Sequence, residues 1–176
     1  MKSRILCLFL VAISLPGLSF AQKIEENKID ESTKRPVIRT TWEPFIRNIK
    51  GYSFVRVSKV DENTYLDLKY THVGSSRFII NEGKHVILRL KNDSLVLLNV
   101  ATTVSSCRGC GNNTITMGSD QGVNLPLLLL PEQIDNLSIA PAIAIRIYTV
   151  DGYIETDIKE KDGDMIAKQL KLVQQK

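Results

Sequence analysis

The sequence predicts a mainly β, α+β fold: an antiparallel sheet folded as a two-layer sandwich, with a short helix near 131–137 and a C-terminal helix. Three observations predict it. From Val37 onward, apolar residues recur mostly at every second position, the period of a strand with one buried face. The links between these runs are turns of a few residues, and only antiparallel neighbours can be joined so briefly. At the C-terminus the spacing lengthens to three and four, placing Met165, Ile166, Gln169, Leu170 and Val173 on one face of a helix.

The elements follow in chain order. Gly51 to Val60 carries Tyr52, Phe54, Val55, Val57 and Val60, and Asp61-Glu62-Asn63 turns the chain. Leu66, Leu68 and Tyr70 then alternate with Asp67, Lys69 and Thr71. Phe78-Ile79-Ile80 leads into the loop Asn81-Glu82-Gly83, after which Val86, Leu88 and Leu90 alternate with Ile87, Arg89 and Lys91. Asn92-Asp93-Ser94 turns the chain into Leu95 to Val104, which is apolar on both faces and reads as a central strand. Cys107 to Gly122 is rich in Gly, Asn, Ser and Thr and has no regular period. Leu125 to Leu130 resumes as a strand, and Pro131 suits the first turn of a helix with Ile134 and Leu137 on one side. Ile143, Ile145 and Ile147 alternate with Ala144, Arg146 and Tyr148, and Asp151-Gly152 is the strongest hairpin signal in the chain. Asp157 with Glu160 three residues on reads as the cap of the last helix, whose first turns Gly163 weakens by roughly 1 kcal/mol against alanine.

Ahead of these elements lie two segments of different character. Residues 1–21 combine Lys2 and Arg4, an apolar run from Ile5 to Ser14, Pro16-Gly17, and Ser19-Phe20-Ala21. This is the three-part pattern of a signal peptide cleaved after Ala21, and the apolar run is shorter than the roughly 20 residues of a membrane span. Cys7 lies inside that run, where a lipidation cysteine does not. Residues 22–36 (QKIEENKIDESTKRP) are charged, hold two isoleucines and end in proline, which predicts a flexible, solvated leader. Residues 37–176 then form a single domain, and a mature chain from Gln22 is long enough to bury roughly 70% of its extended surface.

The composition, 43% hydrophobic and 24% charged in 176 residues, excludes a disordered tail, a low-complexity filament and a polytopic membrane protein. No transmembrane helix is expected in the mature chain. Loss of Lys2 and Arg4, with no acid in residues 1–21, lowers the net charge from +4 to +2. That is no basis for nucleic-acid binding, which needs a clustered basic face.

Thr41-Trp42-Glu43 before a strand, the segment LDLKY…FIINEGKHVILRLKNDSLVLL and the segment IAIRIYTVDGYIETDIKEKDG, behind a signal segment ending in Ala-Gln, resemble a group of small secreted or periplasmic bacterial β-rich proteins of uncharacterised function. The resemblance covers most of residues 37–173. It implies an envelope location and the fold class, and it carries no catalytic residue.

Cys107-Arg108-Gly109-Cys110 is the sharpest local feature, because these are the two cysteines left after signal removal. In an oxidising compartment they read first as a structural disulfide, worth about 2 kcal/mol by loop entropy for so short a ring. The same C-x-x-C spacing suits a thiol–disulfide oxidoreductase, with Arg108 favouring the thiolate, although Gly111-Asn112-Asn113-Thr114 predicts a turn where such motifs start a helix. It also supplies half of a zinc site; His72 and His85 are the only histidines, and neither has a metal-type partner in spacing. His72 reads as a core-edge residue in register with Tyr70, and His85 as exposed.

No metal or cofactor is expected, and no conventional catalytic set is present: no G-x-S-x-G elbow, no lysine-bearing phosphate loop. Of the aromatics Trp42, Tyr52, Tyr65, Tyr70, Tyr148 and Tyr153, alternation reads most as core or face-covering residues. Tyr65 and Tyr153 fall outside the apolar register beside turns, which makes them, with Arg108, the candidate binding residues. The function these features predict is a non-catalytic secreted or periplasmic binding or structural module, its partner an unidentified protein or envelope component. The alternatives are a thiol oxidoreductase on Cys107 and Cys110 and a zinc-stabilised binding module.

Overall fold

A computed structural model describes residues 23–49, 51–111 and 120–175; the expected signal segment 1–21 lies outside them. In chain order the strands are β1 (Ile24–Ile29), β2 (Pro36–Thr40), β3 (Glu43–Asn48), β4 (Gly51–Val60), β5 (Asn63–His72), β6 (Ile79–Ile80), β7 (His85–Leu90), β8 (Leu95–Asn99), β9 (Val104–Ser105), β10 (Cys107–Arg108) and β11 (Gln121–Leu129). Helix α1 (Pro131–Ile139) follows, then β12 (Ala142–Thr149), β13 (Gly152–Asp157) and helix α2 (Glu160–Gln174). All the strand pairings are antiparallel, as the short turns require. They form a seven-stranded sheet ordered β1-β2-β4-β5-β11-β10 with β3 also on β4, a four-stranded sheet ordered β13-β12-β7-β8, and the small pair β6-β9.

The period of two does what it predicts. On β11, Val123, Leu125, Leu127 and Leu129 are buried while Asn124, Pro126 and Leu128 are exposed. On β7 and β8, Val86, Leu88, Leu90, Val96 and Leu98 face the same core. Pro126 is tolerated because β11 has β5 on one side along its whole length and β10 on the other only at Gln121 and Gly122, so its missing N–H falls where no ladder bond is needed. The two-residue turn after β4 and the four-residue turn after β7 each place an aspartate at positive φ, Asp61 at 59° and Asp93 at 63°, a conformation that Asp tolerates better than bulkier residues.

Both large sheets and both helices contribute to one hydrophobic core. Helix α2 supplies Ile166, Leu170 and Val173 to it, together with Gln169, which is fully buried. The Gln169 Nε2 donates to the carbonyls of Thr41 (3.0 Å) and Val55 (3.5 Å), so a polar side chain ties the helix to the backbone of the sheet. Along β4, β2 pairs as far as Ser58 and β3 takes over at Val55. In the gap the Thr40 hydroxyl accepts from the Val57 N–H (3.0 Å) and donates to the Val57 carbonyl (3.2 Å), so the backbone at the changeover keeps its partners.

The structure corrects three expectations. Residues 22–36 are not a free leader: Ile24–Ile29 pairs with β2 as an edge strand, with Arg39 ion-paired to Glu26. Its charges are solvated on an edge, which is where charged residues protect a sheet from further pairing. Leu95 to Val104 is not a central strand: β8 ends at Asn99 and is an edge, with Leu95 and Leu97 exposed. Its edge is held by Gln133 of α1, whose Nε2 donates to the Leu97 carbonyl (2.6 Å). Asp157 does not cap α2; it is the last residue of β13, and Lys159 is the N-cap, without a side-chain cap bond. The acids Glu160 and Asp162 sit in the first turn instead, where they favour the helix dipole.

Tyr70 is enclosed in this core, 1% exposed, and its hydroxyl has no hydrogen-bond partner among the described residues. Burial pushes its pKa up to about 12. The neutral form is therefore favoured in the folded state, so this contribution to stability is complete below the ordinary tyrosine pKa near 10 and is lost as pH rises toward 12. Tyr70→Phe is expected to raise stability by about 1 kcal/mol at pH 7 by removing an unsatisfied buried hydroxyl, and to lessen the loss above pH 10. Urea unfolding at pH 7 and pH 11 measures both effects.

Candidate functional site

The outward residues of the seven-stranded sheet are set by the same alternation that fills the core. With Ser53, Val55 and Val57 inward, Phe54 and Arg56 of β4 point out. Register then lays Phe54 beside Lys69 and Asn124, and Arg56 beside Asp67 and Pro126. The link between β2 and β3 carries Trp42 over this grid. Its ring has the Arg56 guanidinium 4.4 Å and the Lys69 ammonium 4.1 Å from the centroid. The Arg56 Nε donates to Asp67 Oδ2 at 2.9 Å, and Arg56 Nη1 lies 3.6 Å from Glu25. Burial, and then the neighbouring Arg56, lower the Lys69 pKa. Two cations against one indole are each worth about 0.5–2 kcal/mol, more as water is excluded.

A cavity of about 260 Å³ opens here, lined by Trp42, Arg56, Asp67, Lys69, Asn124 and Pro126 among others. It offers an aromatic wall, two cations, a carboxylate and an amide in one place, the mixture that a specific ligand site needs. Tyr65 lies on the same face, two residues from Asp67 and across from Ser58 and Leu128. The sequence singled out neither cation: Lys69 alternates with the apolar positions of its strand, and Arg56 lies between Val55 and Val57; their sharing an outward face two positions apart across the β4–β5 hairpin was the available signal.

The Cys107–Cys110 turn stands at one end of this face. Cys107 pairs with Gly122 and Arg108 with Gln121; Cys107 and Cys110 lie at disulfide distance, their Cα atoms 5.3 Å apart. The Thr71 hydroxyl donates to the Cys110 carbonyl at 3.2 Å. Gly122 is required at this contact, because a Cβ there would collide with that same carbonyl. Arg108 is exposed. Neither cysteine starts a helix among the described residues: Cys107 is in a strand and Cys110 in the turn after it. Residues 112–119 lie outside the description, including Asn112-Asn113-Thr114 of the expected turn.

Tyr153 is brought to a different face. It is 57% exposed on β13, 6.0 Å from Tyr148, with the Arg146 guanidinium 4.5 Å from its ring centroid; Arg146 in turn pairs with Glu155 at 2.6 Å. The fold therefore puts Tyr65 on the same sheet face as the Trp42 cradle, outside the lining of its cavity, and puts Tyr153 on the other large sheet. His72 is half-buried at the end of β5, its Nδ1 enclosed without a partner among the described residues. His85 is exposed and its Nδ1 lies 2.7 Å from Asn99 Oδ1. Among the described residues no three His, Cys, Asp or Glu side chains gather as a metal site would need, and no helix is long and apolar enough to cross a membrane.

No family model, curated protein or solved structure matches this chain.

Proposed function

We propose that the protein is a non-catalytic binding module of the bacterial envelope, exported by residues 1–21 and recognising a protein or envelope component on the outer face of the seven-stranded sheet. The observation that carries this reading is the Trp42 cradle, where Arg56 and Lys69 flank an indole beside a cavity of about 260 Å³. Trp and Arg dominate binding energetics wherever they can be desolvated in a pocket. A sugar ring or a flat side chain stacking on Trp42 would leave its polar groups within reach of Asp67, Lys69 and Asn124.

The test is co-sedimentation with isolated cell-wall sacculi and with envelope vesicles. Trp42→Ala is expected to cut the retained protein about tenfold, the loss of one hot-spot contact, and to lower stability by about 1–3 kcal/mol through the two lost cation–π contacts, so retention is compared at a temperature where circular dichroism shows both proteins folded. Equal retention of the two proteins would remove the cradle from the site. The mass of the exported protein tests the location: it should begin at Gln22.

The thiol–disulfide reading is favoured by one observation, the exposure of Cys107. We take the pair as a structural clip that holds the turn against β5 and β11. Cys107→Ser is then expected to cost about 2 kcal/mol in urea unfolding and to leave the Trp42 binding unchanged. An insulin-reduction activity in the wild type that Cys107→Ser abolishes would make the pair the functional centre instead.

A further inference from the structure

A second groove lies between the two sheets, lined by none of the residues of the Trp42 cavity. Its walls are consecutive residues of two strands: Phe45 to Ile49 at β3, and Glu155 to Lys159 at the end of β13, with Asp162 of α2 nearby. It encloses about 450 Å³. Among the described residues β3 pairs only with β4, and β13 only with β12. No ladder joins them, so each turns an unpaired edge toward the same space. Five residues on each wall correspond to roughly 16 Å of extended chain at the strand rise.

Edges of this kind are usually covered in natural proteins. Among the described residues β1 covers β2 alone: at the first of them the Lys23 carbonyl accepts from the Thr41 N–H at 2.9 Å, just before β3 begins, and no described strand pairs with the other edge of β3. The bulge at Pro44 and Ile46 blunts the start of β3 and leaves the stretch to Asn48 regular. Phe45 and Ile46 are buried, whereas Ile49 at the rim is 91% exposed.

The charges on the two walls differ. Arg47 stands on the β3 side, and Asp157 and Asp162, with Lys159 at the far end, on the other; none of the four is ion-paired among the described residues. Glu155 is already taken by Arg146. Opposite charges on directly neighbouring strands attract and like charges repel. A strand lying between the walls is matched when it turns an acid toward Arg47 and a base toward Asp157.

We propose that this groove is a strand-addition site: an extended segment of another protein, with apolar residues alternating with one basic and one acidic residue, pairs with β3 and β13 at once and joins the two sheets. Backbone hydrogen bonds to two edges supply the affinity, and the wall charges supply the direction in which the segment lies. The site is independent of the Trp42 face.

The probe is the peptide acetyl-Thr-Val-Lys-Val-Glu-Val-Thr-amide, titrated against the whole chain while amide hydrogen exchange is followed. Saturable binding below about 1 mM is expected, with slowed exchange at residues 46–49 and at 155–157 together. N-methylation of alternate peptide amides is expected to abolish it, and Asp157→Lys and Arg47→Glu, both exposed positions, each to weaken it about fivefold, the worth of a cross-strand charge pair. No saturable binding up to that concentration overturns the proposal. So does binding indifferent to N-methylation, or protection confined to one of the two strands. Protection of both edges in a dimer without peptide would assign the groove to a second copy and overturn it equally, as would loss of binding in Trp42→Ala alone.

Discussion

Gly163→Ala should destabilise the protein by about 2 kcal/mol, against the rule that alanine in a helix is better than glycine by about 1 kcal/mol. The reason is the approach of α2 to β12. A Cβ on Gly163 would overlap the backbone carbonyl of Ala142, and backbone cannot swing aside as a flexible side chain can. Ala142 is itself held, pairing with Leu90 next to a bulge in β12, while the Lys91 N–H donates to the Pro141 carbonyl at 2.9 Å. The helix must then tilt away and loosen Ile166 and Leu170, both of which are fully enclosed. Overpacking of this kind costs about 1–3 kcal/mol or more. Lys168→Ala, at an exposed position of the same helix, is the control and should change stability by less than about 0.5 kcal/mol. Urea unfolding of the two variants decides it; a Gly163→Ala protein as stable as the control would place α2 farther from β12 than described.

Leu127→Ala and Leu128→Ala should differ by about 3 kcal/mol although the residues are adjacent. Leu127 is 0% exposed and Leu128 is 42% exposed, as successive positions of a strand must differ when one sheet face is buried. Leu127 sits in the shared core beside Leu66 of β5, and its truncation removes apolar contact and leaves a cavity, a loss of about 2–5 kcal/mol. Leu128 is half in water, and its truncation is worth less than about 1 kcal/mol. Equal effects in urea unfolding would mean that the register of β11 on β5 is shifted by one residue, since such a slip exchanges the two faces.

The alternation that assigned these leucines was readable because a strand's inside and outside follow from the order of its own residues. The same is true of the turns at Asp61 and Asp93, of Pro131 opening α1, and of the face of α2 that carries Ile166, Leu170 and Val173. Leu95 to Val104 shows where such reading stops. A run of apolar residues signals burial, yet whether a neighbour lies on each side depends on strand order, and here the second side is closed by one glutamine from a helix. The leader failed in the opposite sense. Residues 24–29 have too few apolar groups to drive burial, and they pair because β2 offers an edge.

The candidate site divides along the same line. Trp42, Tyr65 and the two cysteines could be singled out as residue types, but not as one face, because they come from three separate stretches of chain that only the β2–β4–β5–β11 register aligns. Arg56 and Lys69 look like solvated charges until Trp42 is laid over them. Gly163 looks like a weakness in a helix until β12 is placed against it. By itself the sequence determined the period of each element, its buried side and the places where it turns, since these depend on neighbours a few residues apart. The tertiary structure alone decided which strands are edges, which distant charges meet on an aromatic ring and where a helix has no room for a methyl group. Those are properties of contacts between segments far apart in the chain, set by how all the buried faces close on one core.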